Sequence, residues 1–266
     1  GVTSRTTLPL RVVMTTYIAV TLAESVLAPA LPLVAGELGL DAASSGRLLG
    51  VLSLAAGVGN LVGGWMIGFT TARTTSLLAA AGSAIGCGLA AAAGSEASFL
   101  AAQTVIGFSA GMFFAGGVFS VGKLAKAGQQ GRAMGRYGIA YSLALALAAG
   151  LTAAAADWSW RVVFVSAAGF AVVVGVLLTR IQLPGAAPIR GNDLARIPHL
   201  LGTPILVGGV AAVAQFGVVA YIPLYGVEAW ALSASAAAMV LLVGRIVSVP
   251  AKAVSGWMID TWGAKT

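Results

Sequence analysis

Blocks of roughly twenty apolar residues, divided by short loops that carry most of the charge, constrain this chain more than any other feature. A helix rising about 1.5 Å per residue needs a block of that length to cross about 30 Å of hydrocarbon, and lipid leaves a spanning backbone little choice but the helix. Eight blocks can be marked off, at 12–36, 46–68, 74–94, 97–121, 137–156, 161–181, 203–227 and 235–259. The chain therefore reads as an all-α membrane protein with eight transmembrane helices, and its first partner is the lipid bilayer. Only 9% of its 266 residues are charged, against about one-quarter in a soluble domain. The first block runs too long for the apolar part of a cleavable leader and reads as a retained span.

Charge asymmetry predicts the orientation, because Lys and Arg resist export while acidic residues count for little. Alternate loops on the side of the N-terminus hold eleven basic residues: Arg5, Arg11, Arg73, Lys123, Lys126, Arg132, Arg136, Arg180, Arg190, Arg196 and Lys265. The other side holds only Arg47 and Arg161, together with Glu37, Asp41, Glu96, Asp157 and Glu228. Both ends of the chain are expected in the cytoplasm, with the cell membrane as its location. The net charge of +7 is accounted for by these loops and forms no aromatic-interleaved patch, so nucleic acid is not an expected partner. The longest polar stretch, 182–202, divides a six-helix half (1–181) from the start of a second half (203–266).

Glycines recur at four-residue spacing within the blocks: Gly59 with Gly63, Gly64 with Gly68, Gly82 with Gly86, and Gly107 with Gly111. In lipid such pairs let helix backbones approach closely, so they read as assembly signals. A second regularity is a repeat. Gly64-Trp65-Met66-Ile67, closing the second block, recurs as Gly256-Trp257-Met258-Ile259, closing the eighth, and Leu31-Pro32-Leu33 is echoed by Ile222-Pro223-Leu224. The two halves thus begin alike, with helices in the same order and orientation.

These residues resemble the major facilitator superfamily, in which two six-helix halves are related by an axis along the membrane normal. The most specific element is the loop after the second helix of each half. Asp260 and Gly263 keep its pattern in the second copy, whereas the first has Gly68 in place of the aspartate. Pro29-Ala30-Leu31-Pro32, Glu37-Leu38-Gly39-Leu40, Gly131-Arg132-Ala133-Met134-Gly135 and Trp160-Arg161 resemble the drug and sugar efflux branch, and Glu24 resembles the first-helix acid of arabinose-efflux-like proton antiporters. Two departures stand against that branch: Gln103 lies where arginine is usual, and the fifth block lacks a glycine-proline signature. The resemblance implies four more helices after residue 266, a chain that reads as the first eight of twelve, and a monomer when complete.

Charged groups at membrane depth cost about 2.5–3.5 kcal/mol each, so they mark cavities or pairs. Glu24, Arg245 and Lys252 are such groups. Tyr17, Thr21 and Glu24 share one helical face, and Arg245, Ser248 and Lys252 share another. Glu24 is expected to carry the coupling proton; the alternative is a fixed pair with Arg245 or Lys252. Arg245 and Lys252 can hold an anionic substrate or counter Glu24, and Lys252 can instead snorkel towards the cytoplasm. Gln103, Gln215, Tyr141 and Ser142 complete the expected substrate cavity. Gly64, Arg73, Arg132, Arg136, Gly256, Asp260 and Gly263 are expected to form cytoplasmic gate loops, with Arg132 and Arg136 as possible partners of Asp260.

Gly107-Phe108-Ser109-Ala110-Gly111 fits the glycine-x-serine-x-glycine pattern of hydrolases, but the only histidine, His199, falls in the central loop. An enzyme is not expected. Cys87 reads as packing, and neither a metal-ligand cluster nor a nucleotide loop is present in the sequence, so no cofactor or metal is expected. The expected function is export of a small organic solute, drug- or sugar-like, by proton antiport with alternating access. The alternatives are proton-coupled uptake and a truncated membrane protein that does not transport.

Overall fold

The computed structural model describes residues 3–183 and 221–262. All regular structure among them is helical: α1 (Thr3–Ser25), α2 (Leu27–Leu38), α3 (Ala42–Ile67), α4 (Ala72–Ala92), α5 (Glu96–Leu124), α6 (Gln130–Ala155), α7 (Trp160–Leu178), a helical stretch at 221–230, and α8 (Ala234–Trp262). Among the described residues, seven helices are long and apolar enough to cross a membrane, with α1 and α2 together forming the first span, Leu8–Leu38. The seventh expected span, 203–227, lies mostly outside the described residues, as do Gln215, Gly263, His199 and the central loop.

Helix ends follow local chemistry. Asp41 caps α3 by accepting from the Ser44 amide at 2.7 Å, and that hydrogen bond holds its carboxyl below the usual carboxylate range. Thr71 and Ser95 cap α4 and α5 in the same way, the latter in a reciprocal box with Ser98. Gly39, at φ 65°, ends α2 in the left-handed conformation that a side chain would strain. Regular helix is interrupted at Val26, three residues before Pro29, whose missing N–H leaves the Ser25 carbonyl without its helical donor. The Ser25 hydroxyl meanwhile donates back to the Thr21 carbonyl at 2.6 Å.

The sequence places Arg132 and Arg136 in a loop, but they lie in the first two turns of α6, which begins seven residues before the expected apolar block. Apolar patterning finds the hydrocarbon-facing part of a helix, whereas the helix itself continues into the polar zone, where charged side chains are tolerated.

The bundle is built around α1, which packs on α5, α6 and α7. Two apolar clusters stack along it. One contains Val12, Val13, Tyr17 and Val20 with Phe113, Tyr137 and Leu178; the other contains Leu22 to Val34 with Leu48, Phe99, Trp160 and Phe164. Thr21 and Glu24 fall where the first gives way to the second. The outer surface is apolar, with Leu54 and Leu61 more than 70% exposed, as lipid-facing residues must be.

The seam between α3 and α5 is the tightest. A Cβ placed on Gly59 would stand 2.8 Å from the Phe108 carbonyl carbon, on Gly63 2.5 Å from the Met112 oxygen, and on Gly111 2.7 Å from the Asn60 nitrogen; one on Gly107 would strike the Leu52 carbonyl. Two of the four expected pairs, Gly59 with Gly63 and Gly107 with Gly111, therefore lie backbone against backbone across this seam. Ser109, within the hydrolase-like pattern, is buried and donates to the Val105 carbonyl at 2.7 Å. The two glycines around it are occupied by packing.

Candidate functional site

Of the carboxylates among the described residues, only Glu24 lies in the middle of a span; the others sit at helix ends or in turns. It is half-buried. Tyr17 and Tyr141 stand within electrostatic range of it, and Tyr141 is equally within range of Arg245, which in turn acts on Lys252. Side chains of α1, α6 and α8 thus converge on one polar cluster, bringing together seven residues singled out from sequence: Tyr17, Glu24, Tyr141, Ser142, Arg245, Ser248 and Lys252.

Their roles inside the cluster differ. Tyr17 is 6% exposed and Tyr137 5%; their rings stack at 3.8 Å between centroids, nearly parallel, with Phe113 beside Tyr17 at 5.9 Å. Tyr17 is therefore a wall, packed too deeply to present its face to a solute. Thr21 is likewise buried. Tyr141 is half-buried and lies 6.1 Å from Tyr17.

Lys252 does not snorkel. Its stem crosses Gly138, where a Cβ would meet Lys252 Cδ at 3.3 Å, and its ammonium donates to Ser142 Oγ at 2.5 Å. Ser142 lies one turn further along α6 than Gly138, away from the end that holds Arg132, so the amine reaches towards mid-membrane. It sits 4.9 Å from the centre of the Tyr141 ring, close enough for a cation–π contact. Ser142 and Ser248 share a hydrogen bond at 3.0 Å, and Ser248 also donates to the Arg245 carbonyl at 2.8 Å. Ser142 is fully buried, so it serves as the anchor that aims the lysine.

The fixed-pair alternative for Glu24 is not what the structure shows. Among the described residues, carboxylates pair with cations only at the ends of the bundle, as Arg47 with Glu96 at 2.8 Å, Arg132 with Asp260 at 3.7 Å, and Arg161 with Glu37. Neither Arg245 nor Lys252 lies within ion-pairing distance of Glu24. Gln103 is elsewhere in character: it is fully buried in α5, and neither its amide nitrogen nor its oxygen has a hydrogen-bond partner among the described residues.

At the basic end, Asp260 accepts from the amides of Gly131 at 2.6 Å and Arg132 at 2.8 Å. Its side chain is 7% exposed. Gln129, at the cap position of α6, makes no capping hydrogen bond, so a carboxylate from α8 satisfies the helix start that α6 leaves open. The approach requires glycine on both helices. A Cβ on Gly131 or on Gly256 would lie 2.7 Å from the other's carbonyl oxygen, and one on Gly135 2.9 Å from that of Lys252. Of the two expected partners Arg132 pairs with Asp260 and Arg136 does not.

The first copy of the loop behaves differently. A Cβ on Gly64 would make only ordinary contact, 3.9 Å from Ala115. Arg73 donates to the Leu178 carbonyl at 3.1 Å and the Thr179 carbonyl at 2.5 Å, closing the end of α7 from α4 rather than reaching α8.

The opposite end carries contacts that sequence reading left unassigned. Glu37, ending α2, accepts from Trp160 Nε1 at 2.6 Å and from Arg161, which also donates to the Ala93 carbonyl at 3.0 Å. Arg47 reaches both Glu96 and the Ser44 hydroxyl. Both arginines of that side are thus bound to its acids.

A family model described as the Major Facilitator Superfamily matches residues 13–266. The chain belongs to that superfamily. None of the curated proteins matches it. Among solved structures, the partially occluded inward-open xylose transporter XylE from E. coli is similar at 15% identity and a TM-score of 0.67, covering 96% of this chain and 73% of that one. A D-xylose-proton symporter is similar at 15% and 0.67, covering 94% and 68%. A bacterial homologue of the human lysosomal transporter Spinster, inward-facing and occupied, is similar at 14% and 0.70, covering 96% and 62%. At these identities the likeness is one of fold, and it is to a major facilitator superfamily fold that the eight described helices and the helical stretch 221–230 conform.

Proposed function

We propose that this major facilitator superfamily chain carries a small organic solute across the cell membrane against protons, with Glu24 as the coupling group. The observation that carries this reading is the position of Glu24: mid-span, half-buried, unpaired by any cation among the described residues, and within electrostatic range of Tyr141 on α6. A carboxyl in such a place is neutral when the surroundings are dry and ionises when water reaches it, so it can follow access from one side to the other. The hydrogen bond missing at Pro29 leaves the segment next to Glu24 less rigidly tied than an unbroken helix.

Export by antiport, in the drug and sugar efflux branch, is the direction favoured by the residues of the first span. Proton-coupled uptake is the second reading, favoured by the fold's likeness to proteins described as proton symporters of xylose. In both, the six-helix half and the half that begins after 182–202 rock about the central cluster. Asp260, Gly131 and Arg132 lock one state closed on the cytoplasmic side, where both ends of the chain lie.

Proton movement driven by xylose, gluconate and cationic dyes, followed with an internal pH dye in proteoliposomes of the full-length protein, tests the reading. Glu24→Gln should abolish substrate-driven proton flux by at least tenfold. Flux that persists in that variant moves the coupling group elsewhere.

A further inference from the structure

We propose that the solute is a small organic carboxylate, held between Arg245 and Lys252. This rests on the transport reading above and adds the charge of the cargo.

The cluster does not balance its charge. At the ends of the bundle Arg47, Arg132 and Arg161 each have a carboxylate, and Arg73 has the carbonyls that end α7. The two cations in the middle of α8 have none within ion-pairing distance among the described residues, although ions are costliest there. Glu24 is the only mid-span acid among the described residues, so two positive groups face at most one negative group, and a positive excess remains whether or not Glu24 holds its proton. Pairing among the described residues does not remove that excess; a bound anion does.

The geometry makes the excess deliberate. A lysine at this depth can relieve its cost by reaching towards the headgroups, yet Lys252 is turned the other way, along Gly138 to Ser142. Ser142 uses one donor site of the ammonium and Tyr141 covers one face, leaving further N–H groups. Arg245 lies seven residues away on the same helix, about 10 Å along the axis, and its planar fork suits a carboxylate. Its side chain is half-buried, as is Lys252's, so both are accessible at mid-span. A neutral sugar would leave the positive excess in place, and a cation would add to it.

The test uses the full-length protein in lipid nanodiscs and its thermal unfolding midpoint with matched probes: gluconate, succinate and benzoate; xylose, 1,4-butanediol and benzyl alcohol; glucosamine, 1,4-diaminobutane and benzylamine. At least one carboxylate should raise the midpoint while its neutral and cationic counterparts do not. Arg245→Gln and Lys252→Gln should each weaken that carboxylate by tenfold or more, and Arg245→Lys, which keeps the charge, should retain the preference for anions and shows that the site tolerates exchange. Stabilisation by neutral or cationic probes instead, by no carboxylate, or equally in the two Gln variants overturns the proposal. Proton flux separates the two readings: xylose-driven flux lost in Glu24→Gln keeps the transporter and discards the anion, whereas carboxylate binding without any flux does the reverse.

Discussion

The seam between α3 and α5 and the seam between α6 and α8 both bring backbones together over glycine, yet they differ in what lies along the rest of their length. From Gly107 to Gly111 on one helix and Gly59 to Gly63 on the other, the α3–α5 seam is glycine against carbonyl with apolar filling. The α6–α8 seam is that close only near Gly131, Gly135 and Gly256; beyond it come Lys252, Ser142, Ser248 and Tyr141. One seam joins α3 to α5, the other joins α6 to α8 across more than a hundred residues of chain. Close dispersion contact over a long stretch has one good arrangement, whereas hydrogen bonds to a single carboxylate and a few hydroxyls can be exchanged for water or for a solute at modest cost. A contact that must open in each cycle is better made of the second kind.

The largest expected effect breaks the first seam. Gly111→Val should cost about 3 kcal/mol or more, because no side-chain rotation relieves a clash with the Ala56 backbone; loss of the monodisperse peak in size exclusion would register it, and a well-behaved variant would show that the seam yields. The second seam should respond more mildly. Asp260→Ala removes the cap of α6 and should cost about 1–2 kcal/mol while the protein stays folded. Cysteines introduced for labelling at the basic end should become more reactive in that variant, and unchanged reactivity would separate the cap from closure.

Next comes Lys252→Met. Removing a cation that lacks a carboxylate partner should leave stability unchanged or raise it by about 1 kcal/mol while abolishing transport; a destabilised protein would mean that the lysine is structural. The smallest effect is expected from Arg132→Gln, below about 1 kcal/mol in unfolding, since that arginine is half exposed at 3.7 Å from Asp260 and the two amides remain.

What was legible in the sequence divides along physical lines. Hydrocarbon thickness writes itself into block length, so six of the seven described spans and most of the first were readable, as were the glycine pairs that the α3–α5 seam uses. The cost of charge at depth isolated Glu24, Arg245 and Lys252. The direction taken by a long side chain was not readable: whether Lys252 turns to headgroup or to mid-membrane is decided by Gly138 and Ser142, more than a hundred residues earlier. Nor was the fate of Arg73, whose partners are backbone carbonyls that any sequence supplies. The pairing of Arg161 with Glu37 lay hidden for another reason: it joins α2 to α7, and only the packing of the bundle makes those ends neighbours.

The cap that Asp260 places on α6 also has a consequence for biosynthesis. Gly131 and its carboxylate are separated by 129 residues, so the start of α6 emerges from the ribosome and enters the membrane long before its acceptor exists. During that interval the first amides of α6 depend on water and headgroups at the bilayer surface. The two helices are therefore joined at this point by an event of synthesis as much as of folding: the sixth helical segment is finished only when the last described one has been made.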